Sequence, residues 1–575
     1  MTTTLKLSFF SAALAICACL PAYAQEASAT GAAALHACNV AALSVAAGPG
    51  VTLTQVESVR TPVDLCRVRG SVITSGEGAP DGLARFELNL PLNWNKKFLF
   101  LGGGGFDGNV PQASVQQLGQ GYVTLGTDSG HVQDPRYTPG SDAGNFIGKD
   151  GKLDPAVWAD YAYRSRTQVN AKVRPMVTHF YGGRAPQQAY FVGCSGGGRE
   201  ALVEAQRNPA AYDGFIAGNP LVDAGTALLM ARNFRVLMNA PIPYAKFPAI
   251  EQAVLAQCDK LDGVADGLIQ NPAACHFDPQ PLIKSGVLNA AQGKALSQYL
   301  SAPRDTDGHQ VGYGSTPSGM GDLSMRLPGM SGGLAGLSTY LTETLPAQPG
   351  LHPWGELPNG PIEWLLASGG VSTIGMGKPG LSVLDPSIVT TDGLLRADAV
   401  ERVSAAWRNA LIDPAAMGEF FASGKKLLIY HGYEDSILDP YQTMAMYERL
   451  VRTAGGLDKT RQDARLFMVP GMAHCFGGNG PNAFDALGAM EAWAERGTAP
   501  DALVAVKFQN NQPGGPIERS MPLCPFPAQA RYDGKGDVKQ AASWSCRADD
   551  MSLLNGDQDG DPAGIGSVIK GFRRR

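Results

Sequence analysis

The 575-residue chain carries little charge, 17% Asp, Glu, Lys and Arg. It has no basic excess: the net charge is −5, so no field draws it to nucleic acid. Beyond the N-terminus there is no apolar run of about 20 residues, so no membrane span is expected in the mature chain. No CxxC pair occurs, which argues against a cysteine-ligated zinc site. There is no internal repeat and no P-loop fingerprint. What the chain does have is 44% hydrophobic residues, ordinary for a folded protein. Gly and Pro together number 111, which implies many turns and long ordered loops.

The first residues read as an export signal. Lys6 is the one charge among the first 24 residues, the apolar run Leu7 to Leu20 is too short to span a bilayer, and Ala22-Tyr23-Ala24 fits the cleavage rule. Cleavage places Gln25 at the mature N-terminus and the protein outside the cytoplasm, periplasmic or extracellular. Cys17 stands where a lipidation site at Cys19 would want a small residue. Eight cysteines remain, an even number that in an exported chain favours disulfides. Local pairing suggests Cys38–Cys66, Cys258–Cys275 and Cys524–Cys546. Cys194 and Cys475 are left, 281 positions apart.

Apolar runs that end in glycine turns recur at 97–101, 122–125, 188–192 and 214–217, and again at 426–430 and 464–469. Between them 156–181 has helical spacing, with a kink expected at Pro175. Strands alternating with helices indicate an α/β fold with a parallel sheet. The stretch 225–420 is rich in Gly, Pro, Ser and Met with few strand-like runs. It reads as an insertion between the sheet halves, leaving 25–224 and 421–575 as the sheet domain. The last 25 residues, ending Arg573-Arg574-Arg575, read as a solvated tail, as does the acidic patch Asn555, Asp557, Asp559 and Asp561.

Gly193-Cys194-Ser195-Gly196-Gly197 matches G-x-S-x-G between an apolar run and a helical segment, the setting of a nucleophile on a sharp strand-to-helix turn. The loop has no lysine, which argues against a phosphate cradle. A nucleophilic serine needs a base and an orienting acid, in the chain order Ser, acid, His. His474 stands in a loop after the 464–469 strand. It adjoins Cys475, as Ser195 adjoins Cys194, so a Cys194–Cys475 bond would bring nucleophile and base together. The acid should follow the 426–430 strand. Asp435 is preferred, with Glu434 and Asp439 as alternatives. His431 lies at the same strand end, either in contact with substrate or as a structural histidine. Gly196 can supply one backbone donor to an oxyanion, and Gly104 or Gly105, in the glycine run after 97–101, the other. Asp259, Asp262 and Asp266 crowd three carboxylates into eight residues, which suits Ca²⁺ or a solvated turn.

With these motifs the chain resembles the tannase/feruloyl esterase family. The resemblance rests on Gly-Cys-Ser-Gly-Gly-Gly-Arg at 193–199, His-Gly-Tyr-Glu-Asp at 431–435, Gly-Met-Ala-His-Cys at 471–475 and Cys-Asp-Lys-Leu-Asp-Gly-Val-Ala-Asp-Gly at 258–267. It implies an α/β-hydrolase core with a large lid, a Ser195/Asp435/His474 triad beside the Cys194–Cys475 bond, and no organic cofactor. It also implies a Ca²⁺ in the lid, held by the Asp259, Asp262 and Asp266 side chains and the Val264 and Leu268 carbonyls. The Cys258–Cys275 and Cys524–Cys546 pairs fit the same pattern. The activity implied is hydrolysis of a small aromatic acid ester, feruloyl or gallate in type, through an acyl-enzyme. The alternatives are a terephthalate monoester hydrolase, a serine peptidase, or a non-catalytic calcium-stabilised binding protein. Residues 350–395 contain no Arg to clamp a second substrate carboxylate. Trp354, Trp364 and Gly375-Met376-Gly377 could pack an aromatic acyl ring or simply fill the lid core.

Overall fold

The computed structural model describes residues 37–133, 146–321 and 362–548. The export signal, Trp354 and the C-terminal acidic patch and arginines lie outside these residues.

The centre is a nine-stranded sheet in the order β1-β2-β3-β5-β4-β6-β7-β8-β9. Six of its strands are the expected ones: β4 (Lys97–Leu101), β5 (Val123–Thr127), β6 (Gln188–Cys194), β7 (Gly214–Gly218), β8 (Lys426–Gly432) and β9 (Ala464–Val469). They pair in parallel. Neighbouring residues on a strand point to opposite faces, and here both faces are covered. Phe98, Phe100, Phe191, Phe215 and Ile429 pack in one core, and Leu99, Leu101, Tyr190, Ile216 and Leu428 in another. That double burial is why the strands read as unbroken apolar runs.

Three strands that the apolar-run pattern does not reveal extend the sheet. β1 (Val51–Val59), β2 (Leu65–Gly76) and β3 (Ala79–Pro91) join antiparallel to one another, and β3 to β5. One face of these strands carries ion-paired Arg67, Arg69, Glu57 and Glu87, which interrupts any apolar run. Near the C-terminus, β10 (Leu503–Phe508) pairs β11 (Ile517–Leu523), and β12 (Gln529–Tyr532) pairs β13 (Trp544–Arg547). The expected helix at 156–181 continues through Pro175. Its departure from α geometry falls earlier, at a π-helical turn over Asp160–Arg164.

Among the described residues no strand of the sheet lies between β7 and β8. Helices Gly225–Asn239, Phe247–Cys258, Ala290–Leu300, Ile362–Ala367 and Ala397–Trp407 occupy that stretch. Their apolar faces meet in a core that includes Phe234, Trp364 and Trp407, and also Tyr161 from the π-helical turn and Phe106, Ile437 and Leu438 from loops. All four expected disulfides are present: Cys38–Cys66, Cys194–Cys475, Cys258–Cys275 and Cys524–Cys546. β4 leads to β5 on one side and lies against β6 on the other, so the chain reverses its winding there. In open α/β sheets, ligands bind beyond the strand ends at such a switch point. The loops that leave the ends of β4 and β6 are the glycine run and the serine turn.

Candidate active site

β6 ends at Cys194, and the chain turns at Ser195 with φ 62° and ψ −123°, a conformation that side-chain-bearing residues rarely adopt. Helix Gly196–Arg207 begins at the next residue. The turn is packed against bare backbone. A Cβ on Gly197 would lie 2.6 Å from the Gly103 carbonyl oxygen, and one on Gly196 2.8 Å from that of Gly105. The glycine run after β4 therefore lies directly against the serine turn, an approach that side chains would block. The Ser195 N–H donates to the Gly218 carbonyl at 2.9 Å, tying the turn to the end of β7.

Asp435 lies just past β8 and is the hub of the site. Its Oδ2 accepts from His474 Nδ1 at 2.7 Å, Asn219 Nδ2 at 2.8 Å and His431 Nε2 at 3.2 Å. Its Oδ1 accepts from the Ile437 and Leu438 N–H groups at 2.8 and 2.9 Å. Burial alone would raise its pKa. The adjacent His474 and the bond from His431 outweigh burial and hold the carboxyl well below the usual carboxylate range. A carboxylate only accepts, so the His474 proton facing it sits on Nδ1, and Nε2 keeps its lone pair for a substrate-side proton. Asp439, one alternative acid, instead caps helix Pro440–Ala454 by accepting from the Tyr441 N–H at 2.9 Å. Glu434, the other, faces a separate polar cavity that also holds Asn233, Ser318 and Asp439.

The Cys194–Cys475 bond joins segments 281 residues apart with Cα atoms 6.1 Å from each other. It brings together the segments that carry Ser195 and His474. Cys475, like Ser195, has a positive φ of 66°. Asn219 completes the junction, since it adjoins Gly218 and also reaches the Ala473 carbonyl at 3.3 Å. Sequence reading missed Asn219. Its only signal is its position in Gly218-Asn219-Pro220 at a strand end.

His431 is fully buried behind Asp435. Its Nδ1 is 2.8 Å from the Thr443 hydroxyl, and Nε2 also lies 3.2 Å from the Leu438 carbonyl. With two acceptors at Nε2, the proton sits there and points at Asp435.

Ser195, Gly196 and Gly105 line one cavity, walled by Phe106, Tyr161, Met230, Leu366, Trp407 and Leu438. In the glycine run, the Gly102 N–H donates to Val192 O and the Gly103 N–H to Glu200. Gly105 rather than Gly104 lines the cavity, and its carbonyl accepts from the Tyr161 hydroxyl at 3.1 Å. Trp364 is buried against Phe234 in the helical core, away from this wall. Among the described residues no Lys, Arg or His lines this cavity or the polar one.

The acidic loop at 259–266 closes beside the Cys258–Cys275 bond. Asp259 accepts from the Gly267 N–H, and Asp266 pairs with Arg519 at 3.1 Å. Asp262 Oδ2 is buried without a hydrogen-bond partner. Among the described residues no three His, Cys, Asp or Glu side chains are gathered as a metal cluster. Arg519 pairs with one of the three carboxylates, and Arg531 donates to the Leu261 carbonyl of the same loop. A hard cation with oxygen ligands fits the orphaned Asp262 oxygen.

Residues 66–309 and 391–547 match the family described as tannase and feruloyl esterase. The chain belongs to that family and is a carboxylic ester hydrolase with an α/β-hydrolase fold. It is 32% identical over 551 residues to the mono(2-hydroxyethyl) terephthalate hydrolase of Piscinibacter sakaiensis, covering 84% of this chain and 85% of that one. It is 31% identical over 526 residues to an uncharacterised esterase of Xanthomonas campestris, covering 84% of each. The fold is that of feruloyl esterase B from Aspergillus oryzae, with a TM-score of 0.70 at 22% identity over 87% of this chain and 97% of that one.

Replacing Cys194 and Cys475 together by Ser is expected to lower esterase kcat/KM at least tenfold while far-UV circular dichroism stays near wild type. Unchanged activity in that variant would show that the site holds together without its tether.

Proposed function

We propose that the protein is an exported serine esterase that cleaves small aromatic acid esters through an acyl-enzyme. One observation carries the reading: the residue on the strained turn, Ser195, shares a cavity with the Gly105 and Gly196 main chain, while the disulfide beside it binds the loop in which His474 meets Asp435. In this reading His474 Nε2 takes the Ser195 proton as Oγ attacks the ester carbonyl, and Asp435 holds the imidazole and stabilises its charged form. The Gly196 and Gly105 N–H groups stabilise the oxyanion of the tetrahedral intermediate. His474 then gives the proton to the leaving alkoxide. Water, deprotonated by His474, attacks the acyl carbonyl; the bond to Ser195 Oγ breaks, His474 returns the proton to that oxygen, and the acid is released.

The aromatic walls of Phe106, Tyr161 and Trp407 suit an aryl acyl group, which favours feruloyl or gallate esters. The polar cavity shares Thr226, Met230 and Ile437 with this wall, so hydroxyl-bearing parts of a substrate would find acceptors next to the apolar chamber. The likeness to a terephthalate monoester hydrolase supports a second reading. The described cavity walls offer a second carboxylate no cation, which favours the first. The helices between β7 and β8 act as the lid that closes over Ser195, and four disulfides support export. No helix among the described residues is long and apolar enough to cross a membrane.

For the acidic loop we propose a structural Ca²⁺ taken by Asp259, Asp262 and Asp266 with the Val264 and Leu268 carbonyls. It would neutralise the loop and takes no part in the proton transfers.

Ser195→Ala is expected to reduce kcat by roughly 10³-fold or more. Wild-type turnover in that variant would refute the nucleophile. Ranked by kcat/KM, methyl ferulate or methyl gallate should exceed the terephthalate monoester, and the reverse order would favour the second reading. Chelation should lower the thermal midpoint by several degrees, and added Ca²⁺ should restore it. Titration calorimetry that finds no Ca²⁺ binding to the chelated protein would dismiss the ion.

A further inference from the structure

Behind the glycine run, away from the cavity, four charged side chains lie out of reach of water. Asp107 is 3% exposed, Glu200 1%, and Arg166 and Arg199 are fully buried. The serine-esterase reading assigns them no role, yet burying such a group is costly unless its partners are arranged for it.

The contacts of the two acids converge on the main chain of 102–107, while Arg166 and Arg199 donate to the Tyr161 and Ala162 carbonyls. The Asp107 N–H donates to the Gly104 carbonyl at 2.9 Å and closes the four-residue turn that carries Gly105 and Phe106. The Asp107 carboxyl lies against Gly103 so closely that a Cβ there would be 2.9 Å from it. Glu200 sits on the helix that begins after Ser195, and its Oε2 accepts from the Gly103 N–H at 3.0 Å. One carboxylate thus joins the serine helix to the glycine run.

The hydrogens around these groups are unevenly shared. Glu200 Oε1 receives Arg166 Nη1 at 3.0 Å, with Arg199 Nη2 3.6 Å away. Among the described residues Asp107 has no ion-pair partner. Its Oδ2 meets the Ser129 hydroxyl, which also lies 3.2 Å from Glu200 Oε1, and its Oδ1 is buried with no hydrogen-bond partner. One hydroxyl cannot donate to both acids, so a further proton belongs between them. Burial and the Glu200 charge push the Asp107 carboxyl well above the usual range. Arg166 and its other partners outweigh burial and hold Glu200 below it.

We propose that Asp107 and Glu200, sharing one proton, are positioning residues that hold the Gly103–Gly105 main chain against Gly196 and so fix the second oxyanion donor. Neither touches substrate. The proposal rests on the serine-esterase reading, and the experiment separates the two.

Glu200→Gln and Asp107→Ala should each lower kcat about 10²-fold, the size of losing one oxyanion donor, with KM changed less than threefold. Rates are counted per site that a fluorophosphonate labels at Ser195, so unfolded protein does not enter. Asp107→Asn keeps a donor facing Glu200 and should recover most of the loss. The proposal is overturned if kcat per labelled site is unchanged in Glu200→Gln and Asp107→Ala, or if Asp107→Asn is as impaired as Asp107→Ala. If Glu200→Gln does not fold, the Asp107 pair of variants decides alone. An active Ser195→Ala would instead remove the serine-esterase reading, whatever the Asp107 variants do.

Discussion

A single buried carboxylate organises the candidate active site of this molecule. Asp435 collects five hydrogen bonds, from three side chains and two main-chain N–H groups. A carboxylate withdrawn from water must replace its hydration with fixed donors, and bonds to a charged acceptor stabilise by about 1.5–3 kcal/mol each. Those donors come from the ends of β7 and β8, the loop after β9, and the turn before helix Pro440–Ala454. Satisfying one charge therefore fixes the relative positions of three stretches of chain, at Asn219, at 431–438 and at His474. It also sets the His474 tautomer, because only a protonated Nδ1 can complete the shell.

The disulfide and the glycine run do for Ser195 what Asp435 does for His474. The strained turn at Ser195 is held by its N–H bond to Gly218, by the helix that starts at Gly196 and by the Cys194–Cys475 bond. The glycine run reaches within contact distance because neither side of that approach carries a side chain. Rigid strand ends supply positions, and strained or crowded loops supply chemistry, in the usual division between scaffold and site.

Much of this was legible in the sequence, for definite reasons. The parallel strands announce themselves because both their faces are buried, so 98–101 or 427–430 reads as an unbroken apolar run shortly before a glycine. The serine turn, His474 and the distant cysteines could be joined because Ser195 and His474 each adjoin a cysteine of one leftover pair. The strands β1 to β3 stayed hidden because arginines and glutamates pair on one face and break the run. The helix runs on through Pro175, and the π-helical turn a few residues after its start has no marker in the sequence. The roles of Asn219, His431 and Glu200 are set by partners 216, 4 and 97 residues away, and only the fold shows which partner each one finds.

The most direct test of this arrangement is to label the intact protein with a fluorophosphonate and map the adduct by mass spectrometry of a non-reduced digest. The account predicts one phosphonyl group, on Ser195, in a peptide still joined through Cys194 to Cys475. An adduct on a different residue, or a digest in which Cys194 and Cys475 carry free thiols while Ser195 reacts at the same rate, would contradict it.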